Sequence, residues 1–301
     1  MPIIRFKNIF FALTLALVVF SVGSMVVRGF DFGIDFTGGS ILEVTYDEAR
    51  PNTEEVKAKL DALDIGGYSL RPTGEVGYVL RTKELDNDTK NKVVQALSLG
   101  GASKLHEDRF NTVGPTVGSE LRNKAYVAIG VTILGIVLFI TFAFRKVSRP
   151  VASWKYGLAT IIALMHDVLI SAGIFIFLTK YIGAELDLLF ITALLAILGY
   201  SVHDTIVVFD RVRENLRINS ETNRKEQFDA VVGRSLTQTM GRSINTSLTL
   251  VFVLVALYFL GGQSTEHFAL LLTVGVIVGT YSSIFIASPL LVVFEKLQKK
   301  S

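Results

Sequence analysis

The chain has 301 residues, 50% hydrophobic and only 19% charged, and its mean hydropathy is +0.48. A water-soluble domain carries about a quarter charged residues, so the deficit points to apolar membrane spans separated by polar loops. The formal net charge of +3 is too small for nucleic-acid binding, and with no cysteine the sequence excludes disulfides, thiolate metal sites and cysteine nucleophiles.

Arg5 and Lys7 precede an apolar run over residues 9–27. That run is longer than the roughly 7–15 residues of a secretory signal core, and no A-x-A-like cleavage site follows it, so it reads as an uncleaved first span. Residues 1–27 are therefore a short N-terminus and the first transmembrane helix, and residues 28–124 form a folded domain. Within that domain S-I-L-E-V-T-Y at residues 40–46 alternates as a strand. Residues 53–63 read as a helix with Thr53 as its cap and Val56, Leu60 and Leu63 on one face. Residues 68–71 and 76–81 predict a strand pair turning at Thr73-Gly74, residues 88–97 a second helix, and residues 104–113 a final strand. The order βαββαβ predicts an α+β ferredoxin-like sandwich.

Five more apolar stretches follow, at residues 125–144, 156–178, 186–209, 244–260 and 268–294. Each is close to or above the roughly 17–25 residues that cross a bilayer as a helix. The expected architecture is a bundle of six transmembrane helices, five of them within residues 125–294, with a short tail at 295–301. Arg145, Lys146, Arg149 and Lys155 cluster between the second and third spans. Arg211, Arg213, Arg217, Arg224, Lys225 and Arg234 lie between the fourth and fifth, and Lys296, Lys299 and Lys300 in the tail. The short loops on the other side hold Lys180, Glu185, Asp187 and Glu266. The positive-inside rule then places both termini in the cytoplasm and residues 28–124 outside.

The chemistry concentrates in G-Y-S-V-H-D-T-I-V-V-F-D-R-V-R-E-N at residues 199–215. Asp204 lies inside the fourth apolar stretch, where an ionised carboxylate costs roughly 2.5–3.5 kcal/mol by insertion scales. It must face the bundle interior, pair with a cation or stay protonated. An acid whose proton occupancy depends on which side it can reach is the basic part of a proton-driven device. The plainer reading puts it near a helix end, beside Asp210 and Arg211. Arg242 opens the fifth span and is the natural countercharge if spans four and five pack together; alternatively it is only an interfacial anchor. Ser243, Asn245, Thr246, Ser247 and Thr249 make the following turns polar. His203, adjacent to Asp204, projects about 100° away on a helix and is not expected to share its site directly. It is a possible second proton carrier or a neutral interfacial histidine. Asp167, preceded by His166, is a second intramembrane acid. Gly275, Gly279 and Ser283 recur every four residues and permit close helix packing. No P-loop, dinucleotide fingerprint, H-E-x-x-H or G-x-S-x-G pattern offers nucleotide-driven or hydrolytic chemistry.

Several of these segments together resemble the SecF family, the small subunits of the SecD–SecF accessory complex of the bacterial protein-secretion translocase. The matching motifs are D-F-G-I-D-F-T-G-G-S at 31–40, V-G-P-T-V-G-S-E-L at 113–121, M-H-D-V at 165–168, the 199–215 stretch, and S-L-T-Q-T-M-G-R-S-I-N-T-S at 235–247. The resemblance implies half of an RND-superfamily fold and residence in the bacterial cytoplasmic membrane. It also implies pairing with SecD, association with the SecYEG channel, and use of the proton motive force to help preproteins leave on the outer side. No cofactor, enzyme activity or nucleic-acid partner is implied. The family's proton-linked acid falls on Asp204, and its arginine and threonine fall on Arg242 and Thr246. His203 stands where the family commonly has Asn. Two other readings are an RND-type small-molecule exporter half and a passive scaffold that stabilises SecD and the channel.

Overall fold

A computed structural model describes residues 2–144, 151–223 and 226–298. Arg145, Lys146, Arg149, Arg224, Lys225, Lys299 and Lys300, which carry much of the charge-asymmetry reading, lie outside the described residues. The chain divides into two compact units, a sheet unit and a helical unit.

The sheet unit comprises Asp31–Val127 together with Glu185–Leu188. Its elements are β1 (Gly39–Tyr46), α1 (Thr53–Asp61), β2 (Ser69–Thr73), β3 (Gly77–Thr82), α2 (Asn87–Leu97) and β4 (Leu105–Val113). The sheet runs β2-β3-β1-β4 with every pair antiparallel, which is the ferredoxin-like arrangement. Alternation explains the core. Leu42, Val44 and Tyr46 share one face of β1, and Leu80 and Tyr78 stand opposite the first two across the ladder. Val56 and Leu60 of α1 and Val93 and Leu97 of α2 complete this core, all of them fully buried. Each such side chain contributes roughly 1.5–3 kcal/mol by leaving water. The Tyr46 hydroxyl donates to the Leu97 carbonyl at 2.9 Å.

The first helix is capped one residue earlier than its sequence predicts. Asn52, in extended conformation, accepts the Glu54 amide at 2.9 Å. Thr53 is already helical, and its hydroxyl lies 2.7 Å from that of Tyr78. The paired glycines before β1 do more than turn the chain. Gly38 and Gly39 have φ of +75° and +120°, and a Cβ there would meet Pro115 Cα at 2.8 Å and the Thr82 carbonyl oxygen at 2.5 Å.

Glu185–Leu188 lies between the third and fourth spans in sequence yet is bonded into the sheet unit. Leu186 donates its amide to Asp31 O at 3.0 Å and accepts from the Gly33 amide at 2.9 Å. Asp35 receives the Leu188 amide at 2.9 Å, and Glu185 pairs with Arg81. Burial pulls the Arg81 guanidinium down to about 10, with Asp31 opposing and Arg71 reinforcing that shift, so it stays charged at neutral pH.

The helical unit holds helices long and apolar enough to cross a membrane. Among the described residues there are six such spans, Lys7–Arg28, Pro115–Ala143 (whose residues up to Val127 belong to the sheet unit), Ser153–Ile182, Leu188–Glu221, Phe228–Leu260 and Thr265–Gln298. Half or more of the apolar stretch is buried in the third, fourth and sixth spans, against 11–17% in the first, second and fifth. The third, fourth and sixth therefore form the interior. The sixth approaches the fourth closely because it presents glycine: a Cβ on Gly275 would meet the Ile197 side chain at 2.2 Å, and one on Gly279 would meet Ser201 Cβ at 3.2 Å. Below that contact the sixth span widens into a π-turn over Ser283–Ala287. Pro289 accounts for it, since it has no amide hydrogen to continue the α pattern, and the Ser288 hydroxyl bonds Ser283 O at 3.0 Å.

Candidate functional site

Asp204 is 6% exposed within the fourth span, and its Oδ2 accepts a hydrogen bond from the Ser283 hydroxyl of the sixth. Beside it lies a cavity of about 120 Å³ lined by Tyr200, His203, Asp204, Val207, Arg242, Ser243 and Thr246. The spacing of these residues puts each set on one helical face: 200, 203, 204 and 207 on the fourth span, and 242, 243 and 246 on the fifth. Four of the five residues singled out from sequence thus line one cavity.

Two expectations change. Arg242 borders the cavity beside Asp204, and the group that hydrogen-bonds the carboxylate is a neutral hydroxyl from another helix. His203, expected to diverge from Asp204, reaches the same cavity, because the cavity opens at the helix flank where both residues border it. His203, Arg242 and Thr246 are all exposed in the single chain, whereas Asp204 is not.

A ladder of hydroxyls ties the surrounding helices. Tyr200 lies 2.6 Å from Ser247 Oγ, and Ser247 in turn contacts Thr280 Oγ1, which joins spans four, five and six.

The fifth predicted residue occupies a separate, fully enclosed position. Asp167 is 0% exposed in the third span, and its Oδ1 lies 2.7 Å from His166 Nδ1. Its Oδ2 accepts from Ser282 at 2.7 Å and also from Ser201. Ser201 is one turn before Asp204 on the same helix, and Ser282 is adjacent to Ser283. Sequence reasoning missed Ser201 and Ser282. It did single out Ser283, but only as part of a small-residue stripe. In the structure that stripe brings the sixth span close enough to Ile197 and Ser201 for the Ser283 hydroxyl to reach Asp204. Among the described residues no group of three or more His, Asp or Glu side chains is placed to hold a metal ion.

Comparison with known proteins gives concordant matches. The family described as protein export membrane protein SecD/SecF, C-terminal, matches residues 93–297, and the SecD/SecF GG motif matches residues 23–49. The protein translocase subunit SecF of Thermobaculum terrenum is 42% identical over 97% of this chain and 93% of its own length. That of Anaerolinea thermophila is 39% identical over 96% and 92% respectively. The crystal structure of SecDF, a translocon-associated membrane protein from Thermus thermophilus, superposes with a TM-score of 0.81 at 32% identity. That superposition covers 98% of this chain and 39% of the SecDF chain. SecDF in its super-membrane-facing form gives a TM-score of 0.68.

Proposed function

The chain belongs to the SecF family of protein translocase subunits, and on that footing we propose that it couples proton entry at Asp204 to preprotein movement. The observation that carries this reading is the setting of Asp204: a carboxylate enclosed by the interior helices and held by one neutral hydroxyl, next to a cavity that also holds Arg242. Ionised, Asp204 draws Arg242 toward it across the cavity. Protonated, it loses that attraction, and the fourth and fifth spans repack. One charge moving across the membrane supplies roughly 2.3 kcal/mol per 100 mV, enough to bias two arrangements of similar energy. Thr246, on the cavity wall one turn beyond Arg242, provides a hydroxyl to the proton path.

The partner is SecD. Arg242, Thr246 and His203 are exposed on otherwise apolar helices, and such groups are costly against lipid. A second membrane subunit covering that face relieves the cost. In this reading both termini are cytoplasmic, the membrane is the bacterial cytoplasmic one, and the sheet unit works outside it on preproteins leaving the SecYEG channel. The segment joining spans three and four is bonded into the sheet unit through Asp31, Gly33 and Asp35. Displacement of either span therefore pulls on that unit through the chain itself. No cofactor takes part, and the chain performs no covalent chemistry.

The test is Asp204→Asn, reconstituted with SecD and the channel. Proton flux and the proton-gradient-dependent part of export are expected to vanish while the complex still assembles. Unchanged flux would instead leave a passive, bracing subunit.

A further inference from the structure

Asp204 alone leaves His166 and Asp167 without a role, although both are buried in the third span at 4% and 0% exposure. His166 Nδ1 faces the Asp167 carboxylate at 2.7 Å, whereas its Nε2 is enclosed and has no hydrogen-bond partner among the described residues. A neutral imidazole that donates from Nδ1 carries its lone pair on Nε2. The pair thus holds a vacant basic nitrogen beside a buried carboxylate and, in that form, one uncompensated negative charge. The Tyr281 ring stacks over the imidazole at 6.2 Å between centroids and supplies no proton acceptor.

The second observation is the Ser282-Ser283 dipeptide. Consecutive helical residues project about 100° apart, so two adjacent side chains can serve two different helices. Ser282 donates to Asp167 of the third span, and Ser283 donates to Asp204 of the fourth. Each hydroxyl has one proton and a second acceptor on its own helix: Gly279 O at 3.0 Å for Ser282, and Thr280 O at 3.0 Å for Ser283. A serine so placed has two resting positions. It donates across when the carboxylate is ionised, and back to its own helix when the acid is protonated. Ser283 also begins the π-turn, where the backbone already departs from α geometry.

We propose that His166 and Asp167 form a second proton-binding site, and that Ser282 and Ser283 couple its occupancy to that of Asp204. This rests on the proton-driven reading of Asp204. The proton balance is simple. A proton arrives on His166 Nε2, and Nδ1 passes its own to Asp167 Oδ1. The pair ends as a neutral imidazole and a neutral acid, one proton richer. Asp167 Oδ2 is then the weaker acceptor, and Ser282 turns to Gly279 O. At Asp204 the protonated carboxyl keeps its proton and donates a hydrogen bond to Ser283 Oγ, whose own hydrogen turns to Thr280 O. Ser201, bonded to Asp167 and one turn from Asp204, links the two sites through the fourth span as well. The groups facing Asp167 are His166, Ser201 and Ser282; those around Asp204 are Ser283 and, in the cavity, Tyr200, His203 and Arg242.

The experiment measures proton flux against pH in vesicles that hold the chain with SecD. His166→Gln removes the vacant base, and flux is expected to fall about a hundredfold, the low end for losing a positioned proton carrier. The dependence on proton concentration should drop from two protons to one. Ser282→Ala should raise the pH midpoint by about one unit, the size of a lost hydrogen bond to a charged group, and Ser282→Thr should restore it. Wild-type flux and pH profile in His166→Gln and Asp167→Asn, with Asp204→Asn inactive, would overturn this inference and leave the proposed function standing. If Asp204→Asn is also active, the proposed function itself fails. Should a variant not assemble, infrared difference spectra of the unmodified complex with labelled aspartate decide the matter. Two pH-responsive bands at the raised frequency of buried carboxyls, as the two enclosed aspartates would give, support the second site. A single band refutes it.

Discussion

Both units of this chain bury an apolar core, but they differ in the polar groups enclosed beside it. In the sheet unit the interior is chiefly apolar, built from Leu42, Val44, Tyr78, Leu80 and the helix residues above them, and most charges lie at the surface. In the helical unit large apolar side chains such as Leu15, Val131, Phe252 and Phe259 are exposed, while Asp167, Ser201, Asp204, Ser282 and Ser283 are enclosed. Burial stabilises the first arrangement directly. In the second the apolar groups face lipid or another span at little gain, so the enclosed polar cluster is the part whose state can change. Stability therefore belongs mainly to one region and responsiveness to the other.

That contrast can be broken most forcefully from the sheet side. Leu80→Ala should cost about 2–5 kcal/mol, and hydrogen exchange of β1 and β3 amides should accelerate accordingly. The pH midpoint of proton flux in the surviving protein should not move; a moved midpoint would mean that the sheet core and the acids are one system. The bundle is expected to respond the other way round. In Gly275→Val the added carbons meet Ile197, which an ideal Cβ would approach at 2.2 Å, and overpacking of that kind costs about 1–3 kcal/mol. The larger loss should be in flux, because separating the fourth and sixth spans withdraws Ser283 from Asp204. Infrared spectroscopy of the Asp204 carboxyl would show the change.

Smaller effects sharpen the comparison. Asn52→Ala should destabilise the sheet unit by about 1 kcal/mol in thermal unfolding, whereas Thr53→Ala, which leaves the cap intact, should affect only the Tyr78 contact. The least effect is acid dependence at the second helix. Hydrogen bonds from Thr89, its side chain first and then its amide at 2.8 Å, hold the Asp86 carboxyl below its ordinary 3.8. A depressed carboxylate contributes stability that is complete above its unfolded value and is lost as pH falls through the folded one. Asp86→Asn should therefore flatten the acid limb of sheet-unit stability below about pH 4 and slightly lower stability at neutral pH, where that contribution is complete. Chemical denaturation across that range is the check.

Much of this organisation is legible along the chain. The spans follow from runs of apolar residues, and the βαββαβ order follows from alternation and capping signals. Asp204, Arg242, Thr246 and His203 stand out as polar groups in apolar surroundings, and all four line the same cavity. The partner of Asp204 was not legible. Charge complementarity pointed to Arg242, but an ion pair needs helices rotated so that the two side chains meet, and no spacing within one span specifies that rotation. The segment at Glu185–Leu188 was hidden for a similar reason. As a sequence it is a short acidic loop, and only its backbone bonds to Asp31 and Gly33 reveal which unit it joins.

The sequence by itself determined that this chain crosses the membrane, where its sheet unit is inserted, and which acids have no ordinary reason to be in apolar spans. Those properties are periodic or compositional and belong to single segments. Tertiary structure alone decided that Ser282 and Ser283, two unremarkable hydroxyls among many, each face a different buried acid. That choice depends on how closely the sixth span approaches the fourth at Gly275 and Gly279. Distances between helices are set by packing across segments far apart in the chain, which a pattern read along one segment does not contain.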